Sequence, residues 1–374
     1  MDKIRVLHCI RQGQVGGGES HVIDLVKNLD PSRFESLVLA FTDGPMISLL
    51  KSRNVPCFVI PTLKPFDLSV RKAVTDLIRE QNIDLVHIHG TRAFSNTYAS
   101  ARKLRKPIVY TVHGWTFNTF QGALRRNLSV QIEAWFTRMA KQTINVSKNN
   151  REMGLKYMPK LRSVVIQNGI DRKRFDPGLN YKDVRAGLGI PADRVLIGSI
   201  ARITEQKDPV TLIRAFAKIN QQKPGKYFLL FVGDGELKQR AIEEVASLKI
   251  TDVVRFESFR QDIPDLLHSL DIFCLPSLWE GLSLGLLEAM SMKKAVIASD
   301  VDGTREVIES GVNGYLFKPA DESKLAELIL KLGEDKNHRE QIGARAADTV
   351  DANFTVEGMT RKTEEVYISV IGNK

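Results

Sequence analysis

Glu280 and Glu288 bracket the stretch Gly281-Leu282-Ser283-Leu284-Gly285-Leu286-Leu287. The apolar run from Asp271 to Leu275 reads as a buried strand, and the segment after Gly281 reads as a helix that carries Glu288. The first turn of such a helix leaves backbone N–H groups unpaired at about 283–285, which makes it an anion site. Gly285 lets a ligand come close to the backbone. A carboxylate on each side of this cradle can accept hydrogen bonds from hydroxyls flanking a diphosphate. The plainer reading, a solvated loop Glu and an ordinary helix Glu, leaves the glycines between them unexplained.

A second group follows another predicted strand. Gly198-Ser199-Ile200-Ala201-Arg202 leads into Glu205-Gln206-Lys207-Asp208-Pro209. Arg202 can hold phosphate as a fork and Lys207 as a point charge. Taken alone, Arg and Lys at this spacing are more often surface charges. Their place between a strand and a Pro-initiated helix gives them weight. A third group, Gly16-Gly17-Gly18-Glu19, sits where the first strand turns into a helix, and Gly17 and Gly18 permit close approach to phosphate or sugar. It is not the dinucleotide fingerprint, since no G-x-G-x-x-G is present.

Histidines form the fourth group. Tyr110-Thr111-Val112-His113-Gly114 and His87-Ile88-His89-Gly90 each end a predicted strand. An H-x-H pair with His113 as third ligand invites a metal reading. No adjacent Cys or suitably spaced Asp completes that site, so no metal is expected. Asn168-Gly169-Ile170-Asp171, Gly233-Asp234-Gly235 and Gly303-Thr304-Arg305-Glu306 also fall at predicted turns, where a purely structural role is the alternative. Asp300-Val301-Asp302 has the form of a metal-binding D-x-D and is read as chance.

These loops need a scaffold that brings strand ends together. Predicted strands at 4–10, 36–41, 56–60, 84–88, 107–112, 143–146 and 163–167 alternate with helices at 19–29, 45–53, 68–81, 93–105, 122–140 and 148–156. After a polar break near Asp171–Pro191 the rhythm restarts. Strands at 194–200, 227–232, 253–256, 271–275, 295–298 and 315–317 alternate with helices at 208–221, 236–248, 262–268, 284–291, 303–309 and 321–332, and helices at 336–348 and 355–371 close the chain. The βαβ alternation predicts parallel sheets covered on both faces. The fold class is therefore α/β, with two doubly wound, Rossmann-like domains and an interdomain cleft. Domain bounds of 1–172 and 173–354 are expected, with the helix at about 355–374 packing back on the first domain.

The chain has 374 residues, 43% hydrophobic and 26% charged. Such usage excludes a disordered tail, a collagen-like fibre and a disulfide miniprotein. No apolar run is long enough to span a bilayer. The N-terminal apolar stretch lacks the length and cleavage site of a signal peptide, so a cytoplasmic protein is expected. Cys9, Cys57 and Cys274 are odd in number and lie in or beside apolar runs, consistent with reduced thiols. Charge is uneven. Residues 1–175 hold 28 Lys+Arg and 13 Asp+Glu, a balance of +15, which leaves 26 and 31, or −5, for the remainder. The basic half suggests a partner such as a membrane surface or an acidic acceptor. Its densest cluster is Arg102-Lys103-Leu104-Arg105-Lys106, with Arg125, Arg126 and Arg138 further on. Solvated helix ends are the bland alternative. No aromatic interleaving supports nucleic acid.

The spacing from Glu280 to Glu288 resembles that of the retaining glycosyltransferases with the GT-B fold, specifically glycosyltransferase family 4 (group 1). The common pattern there is Glu-Gly-Phe-Gly-Leu-Pro before the second Glu, where this chain has Leu282, Ser283 and Gly285 in place of Phe, Gly and Pro. The resemblance implies that Glu280 contacts the transferred sugar and Glu288 the nucleotide ribose, with the amides of Ser283, Leu284 and Gly285 on the diphosphate. It assigns Arg202 and Lys207 to the diphosphate and places His113 beside the donor sugar. Gly17 and Gly18 resemble the loop facing donor phosphate and acceptor. Gly233 joins the donor site, and Arg260 is a candidate for the base. The implied reaction is retaining sugar transfer from a nucleoside diphosphate sugar, UDP being expected, to a hydroxyl acceptor in polysaccharide, glycolipid or cell-envelope glycan synthesis. No cofactor and no metal are implied. Family members often act on lipid-linked acceptors at the inner membrane face. The segment Trp115-Thr116-Phe117-Asn118-Thr119-Phe120, with the Arg-rich stretch after it, is the expected place of contact with an anionic bilayer. The alternatives are a nucleotide-sugar epimerase, a phosphorylase or a non-catalytic nucleotide-sugar-binding protein of the same fold. For the phosphorylase no pyridoxal lysine is found, and a dehydrogenase is disfavoured by the absent fingerprint.

Overall fold

The computed structural model describes residues 3–13, 16–117 and 122–372. The chain folds into two compact units, residues 1–169 together with 356–374, and residues 170–355.

In the first unit, the apolar runs become seven strands: β1 (Ile4–Ile10), β2 (Phe34–Ala40), β3 (Cys57–Val59), β4 (Leu85–His89), β5 (Ile108–Val112), β6 (Gln142–Asn145) and β7 (Ser163–Val165). They form one sheet in the order β3-β2-β1-β4-β5-β6-β7, and every pairing is parallel. Parallel strands need long crossovers. These are supplied by α1 (Gly17–Asn28), α2 (Pro45–Lys51), α3 (Arg71–Glu80), α4 (Thr91–Lys103), α5 (Ala123–Met139) and α6 (Lys148–Tyr157). Strands β4 and β5 are buried along their whole length, as sheet covered on both faces requires. The chain leaves β1 for β2 on one side, and β4 lies on the other, so β1 and β4 flank a topological switch point. Their register sets His8 beside His87 and Ile10 beside His89.

The second unit repeats the plan with β8 (Val195–Ile200), β9 (Tyr227–Val232), β10 (Val254–Glu257), β11 (Ile272–Leu275), β12 (Ala295–Ser299) and β13 (Tyr315–Phe317). The parallel order is β10-β9-β8-β11-β12-β13, so β8 and β11 flank its switch point. Its helices are α7 (Pro209–Gln222), α8 (Lys238–Ser247), α9 (Ile263–Ser269), α10 (Leu284–Ser291), α11 (Asp302–Arg305), α12 (Glu322–Glu334) and α13 (Lys336–Asn353). One core runs through it, from Leu212 and Phe216 on α7 across Leu229 and Phe231 to Ile329 and Leu332 on α12.

The chain then returns to the first unit as α14 (Val356–Ile371). Val356, Met359, Val366 and Tyr367 bury against Val6, Leu85, Val109 and Ile144 on one face of the first sheet. The Tyr367 hydroxyl lies 2.5 Å from His87 Nδ1, and His87 Nε2 lies 2.7 Å from Thr111 Oγ1.

Differences from the sequence expectation are local. The strand expected at 163–167 stops at Val165, because β7 is an edge strand paired only with β6. The helix expected at 303–309 is the single turn α11, whose Thr304 hydroxyl turns back to Val301 O at 2.8 Å. Arg102 and Lys103 stand in the last turn of α4, where cations suit the helix dipole.

Candidate active site

In the second unit, the residues singled out in the sequence collect at the carboxyl ends of β8 and β11. The loop after β8 passes through a single 3₁₀ turn, Glu205–Lys207, and then Asp208, which has φ 43°. Asp tolerates this left-handed region better than most side chains. The Asp208 carboxylate caps α7 by accepting from Thr211 N at 3.3 Å and from Thr211 Oγ1 at 2.6 Å. This fixes the direction of Lys207. The loop after β11 is tied to it by backbone and side chain: Leu278 N donates to Gln206 O at 2.8 Å, and Gln206 Nε2 donates to Trp279 O at 2.9 Å.

Between these ties lies an ion pair. Lys207 Nζ donates to Glu280 Oε1, and Ser277 Oγ donates to the same oxygen at 2.6 Å. The Glu280 side chain is only 6% exposed, so this carboxylate is held by its partners rather than by water. Helix α10 begins four residues on, with Ser283 as N-cap accepting from Leu286 N at 3.4 Å. A Cβ at Gly285 would stand 3.4 Å from Ile200 O, so α10 starts close against the end of β8. The structure thus brings Lys207, Glu280, Ser283, Leu284 and Gly285 to one strand-end cluster. Glu288 is half-buried one turn into α10. Arg202 is exposed on the loop leaving β8, and among the described residues no ion pair holds it.

Two glycines shape the same loops. A Cβ at Gly303 would fall 1.7 Å from Gly281 O, so the turn into α11 and the Glu280 loop fit only with hydrogen there. Gly233 has φ 147°, and a Cβ on it would fall 2.1 Å from Ala201 O, beside Arg202. Asp234 accepts from Phe259 N at 3.0 Å, joining the loops after β9 and β10. Arg260, on that second loop, donates from Nε to Asp262 Oδ1 at 2.9 Å and has Glu257 at 3.8 Å, so two carboxylates already hold it.

In the first unit the matching strand ends gather histidine. His8, His21, His87, His89 and His113, five of the seven in the chain, form one continuous cluster. His113 Nε2 lies 3.2 Å from His89 Nδ1, and His21 Nδ1 lies 3.0 Å from Asn168 Oδ1. Burial holds the cluster neutral, pushing His8 down to about 3 and His21 down to about 4. His87, His89 and His113 lie well below the ordinary histidine range, first through burial and then through their histidine neighbours. Gly18 is the second residue of α1, and a Cβ there would lie 3.6 Å from the His113 ring; Gly17 has open space around it.

Sequence reasoning missed several members. Ser277 lies between the Asp271–Leu275 run and Glu280, but nothing in the sequence ties its hydroxyl to Glu280. Glu133 on α5 is fully buried and accepts from Thr91 Oγ1 at 2.7 Å, Thr116 Oγ1 at 2.8 Å and Tyr110 OH at 3.0 Å. It anchors the loop that follows His113. Asn118, Thr119 and Phe120 of the expected membrane segment lie outside the described residues.

Two family models between them match most of this chain: "Glycosyltransferase Family 4" over residues 15–174 and "Glycosyl transferases group 1" over residues 180–349. The chain is a group 1 glycosyltransferase. Its two parallel sheets with alternating helices are those of the GT-B fold. It is 25% identical over 385 residues to the UDP-Gal:alpha-D-GlcNAc-diphosphoundecaprenol alpha-1,3-galactosyltransferase of Escherichia coli, covering 100% of this chain and 98% of that enzyme. The crystal structure of HepE from Anabaena in complex with UDP-glucose superposes with a TM-score of 0.86 at 25% identity, covering 98% of this chain and all of that one. Sucrose-phosphate synthase from Thermosynechococcus elongatus shares the fold, with a TM-score of 0.81 at 20% identity over 98% of this chain and 99% of the other. Among the described residues, no helix of this glycosyltransferase is long and apolar enough to cross a membrane.

Proposed function

We propose that this glycosyltransferase moves a sugar from a UDP-sugar to a hydroxyl acceptor in glycan synthesis, with retention of anomeric configuration. The observation that carries the reading is the Lys207–Glu280–Ser277 constellation at the start of α10. It sets a cation and a sugar-binding carboxylate beside free helix amides, at a switch point where such sheets bind ligands. The UDP-glucose complex of HepE and the named substrates of the Escherichia coli relative support UDP as the nucleotide and a lipid-linked diphosphate as the acceptor's carrier.

In this reading the diphosphate lies on the amides of Ser283, Leu284 and Gly285, with Arg202 and Lys207 as its cations. Glu288 takes the ribose, and Arg260 and Gly233 line the base and phosphate side. The acceptor oxygen attacks the anomeric carbon as its bond to the phosphate oxygen breaks. The acceptor's proton passes to that departing oxygen. Charge growing on UDP is met electrostatically by the two cations and the amides, so leaving-group departure needs no metal. Glu280 positions the sugar. From the first unit, His113 is assigned to the reacting sugar, and Gly17 and Gly18 to the phosphate and acceptor.

The acceptor reading extends to a membrane surface. Helix α5 exposes Leu124, Leu128, Trp135 and Met139, which fall on one helix face by their spacing of four, seven and four residues. Phe66 adds to the stripe, with its ring 6.5 Å from Trp135. Arg125, Arg126 and Arg138 share the helix, and Arg102 lies beside it through Tyr98, which packs on Trp135. An apolar stripe flanked by arginines fits an anionic bilayer.

Thermal shift with UDP, GDP and ADP and their sugars, followed by product analysis with the stabilising donor, tests the main reading. Stabilisation by UDP and an α-linked product from an α-linked donor are expected. An inverted product overturns retention. Flotation with anionic and neutral vesicles at low and high salt tests the membrane; lipid-independent behaviour, unchanged in Leu128→Asp, removes that part.

A further inference from the structure

The fold, rather than the sequence, brings His21 to the strand-end histidines. It sits on α1, on the opposite side of the β1 turn from the H-x-H pair. We propose that His21, His89 and His113 form a three-imidazole site for a divalent transition ion, with Zn2+ as the probe that fits it best.

One ring nitrogen from each of the three lies within 4.8 Å of the others. The facing nitrogens of His89 and His113 are 3.2 Å apart. Two imidazoles on a tetrahedral zinc with bonds of about 2.0–2.1 Å face each other at about 3.3–3.4 Å, so this pair already stands at ligand spacing. The ring centroids of the trio are 4.9, 5.5 and 5.6 Å apart. His21 carries the support expected of a ligand. Its Nδ1 faces Asn168 Oδ1 at 3.0 Å, and as that oxygen only accepts, Nδ1 holds the proton and Nε2 presents its lone pair. His89 is 2% exposed and offers its facing Nδ1 to the ion, while its Nε2, which has no partner among the described residues, is the far nitrogen free to carry the proton.

A rival trio, His8, His87 and His89, also has its nitrogens within 4.8 Å. There both nitrogens of His87 are committed, to Tyr367 and to Thr111, and all three rings are buried. The chosen trio has an entrance, because His113 is only half-buried. Binding releases no proton. The single proton shared between His89 and His113 moves to the far nitrogen of one ring, and the two facing lone pairs take the ion. Three imidazoles suit Zn2+, and a fourth position stays open for water or another ligand.

The ion is not a participant in the proposed transfer. If His113 serves the reacting sugar, as proposed above, an ion on it withdraws that side chain, and Zn2+ becomes an inhibitor of transfer that leaves UDP binding unchanged. The binding test is independent of that reading. Chelator-competition titration of the metal-free full chain with Zn2+, and absorption of the Co2+ form, should show one equivalent in a tetrahedral, nitrogen-rich site. His21→Asn and His89→Asn should each weaken Zn2+ at least 100-fold. Asn168→Leu, which removes the orienting partner and leaves all three rings, should weaken it about 10- to 100-fold. His268→Asn, in the second unit, should bind as the parent does. An absence of saturable binding, a cobalt spectrum of octahedral type, or an equivalent that survives both histidine substitutions overturns the site. Zinc binding without inhibition leaves the site standing and displaces His113 from the reacting sugar.

Discussion

Lys207 and Glu280 stand 73 residues apart in the chain and share one ion pair at the carboxyl ends of two adjacent strands. Neither side chain has much water to fall back on, with 16% and 6% of their surfaces exposed. The pair therefore holds two loops in register before any ligand arrives, and Ser277 donates a second hydrogen bond to the same carboxylate oxygen.

Replacing Lys207 by Ala is expected to lower the rate of sugar transfer by about 100- to 1,000-fold, the usual loss of one preorganised charge stabiliser. Because the partners touch, the double variant Lys207→Ala/Glu280→Ala should lose less than the sum of the single losses, with a coupling of about 0.5–3 kcal/mol. Single-turnover rates of the four proteins measure this. Additive losses would mean that the pair does not act as a unit.

Gly303→Ala is expected to loosen donor binding although residue 303 carries no chemistry. Its Cβ would sit 1.7 Å from Gly281 O, so the loop carrying Glu280 must shift. Overpacking of this kind costs about 1–3 kcal/mol. Isothermal titration with UDP should show the weakening while the circular dichroism spectrum keeps its parent shape. Unchanged UDP affinity would place the donor away from this loop.

Glu133 titrates in the opposite sense to a salt-bridged acid. Burial raises its carboxyl above the ordinary 4.5, and the hydroxyls of Thr91, Thr116 and Tyr110 offset only part of that. The folded protein then binds this proton more tightly than the unfolded chain. The stability linked to it is complete below about pH 4.5 and is lost as pH rises through the folded value. Glu133→Gln mimics the protonated acid at every pH. Urea midpoints should move in the variant's favour between pH 4.5 and pH 7.5; a gap constant with pH would show that Glu133 does not titrate there.

Tyr367 closes the first unit from the far end of the chain. Tyr367→Phe leaves His87 Nδ1 buried without its hydroxyl and should cost about 1–3 kcal/mol. Tyr367→Ala adds a cavity and should cost about 3–5 kcal/mol. Denaturant unfolding reads both, while UDP affinity, assigned to the second unit, should hold in the Phe variant. A loss of UDP binding in Tyr367→Phe at full folding would contradict that division of labour.

Strand ends were legible in the sequence because buried parallel strands are written as short apolar runs, as at Leu85–His89 and Ile272–Leu275. The loops behind them, with Glu280, Lys207 and Gly233, could be named for the same reason. What joins them could not be read. The Lys207–Glu280 pairing and the seating of Trp279 O on Gln206 are set by strand order, which sequence spacing does not encode. Glu133 looks like any polar residue on an amphipathic helix, and only packing reveals that it faces inward. His8 and His21 were invisible for a related reason. The first is placed by the β1–β4 register and the second by the turn into α1.

The return of the chain as α14 orders events during synthesis. Residues 170–355 leave the ribosome before Val356, so the second unit can fold while the first still shows the apolar face of Val6, Leu85 and Val109. Until the helix with Tyr367 emerges, that face is open to chaperones and to other nascent chains. A message cut short before this point would yield a protein with its second unit finished and its first unit left adhesive.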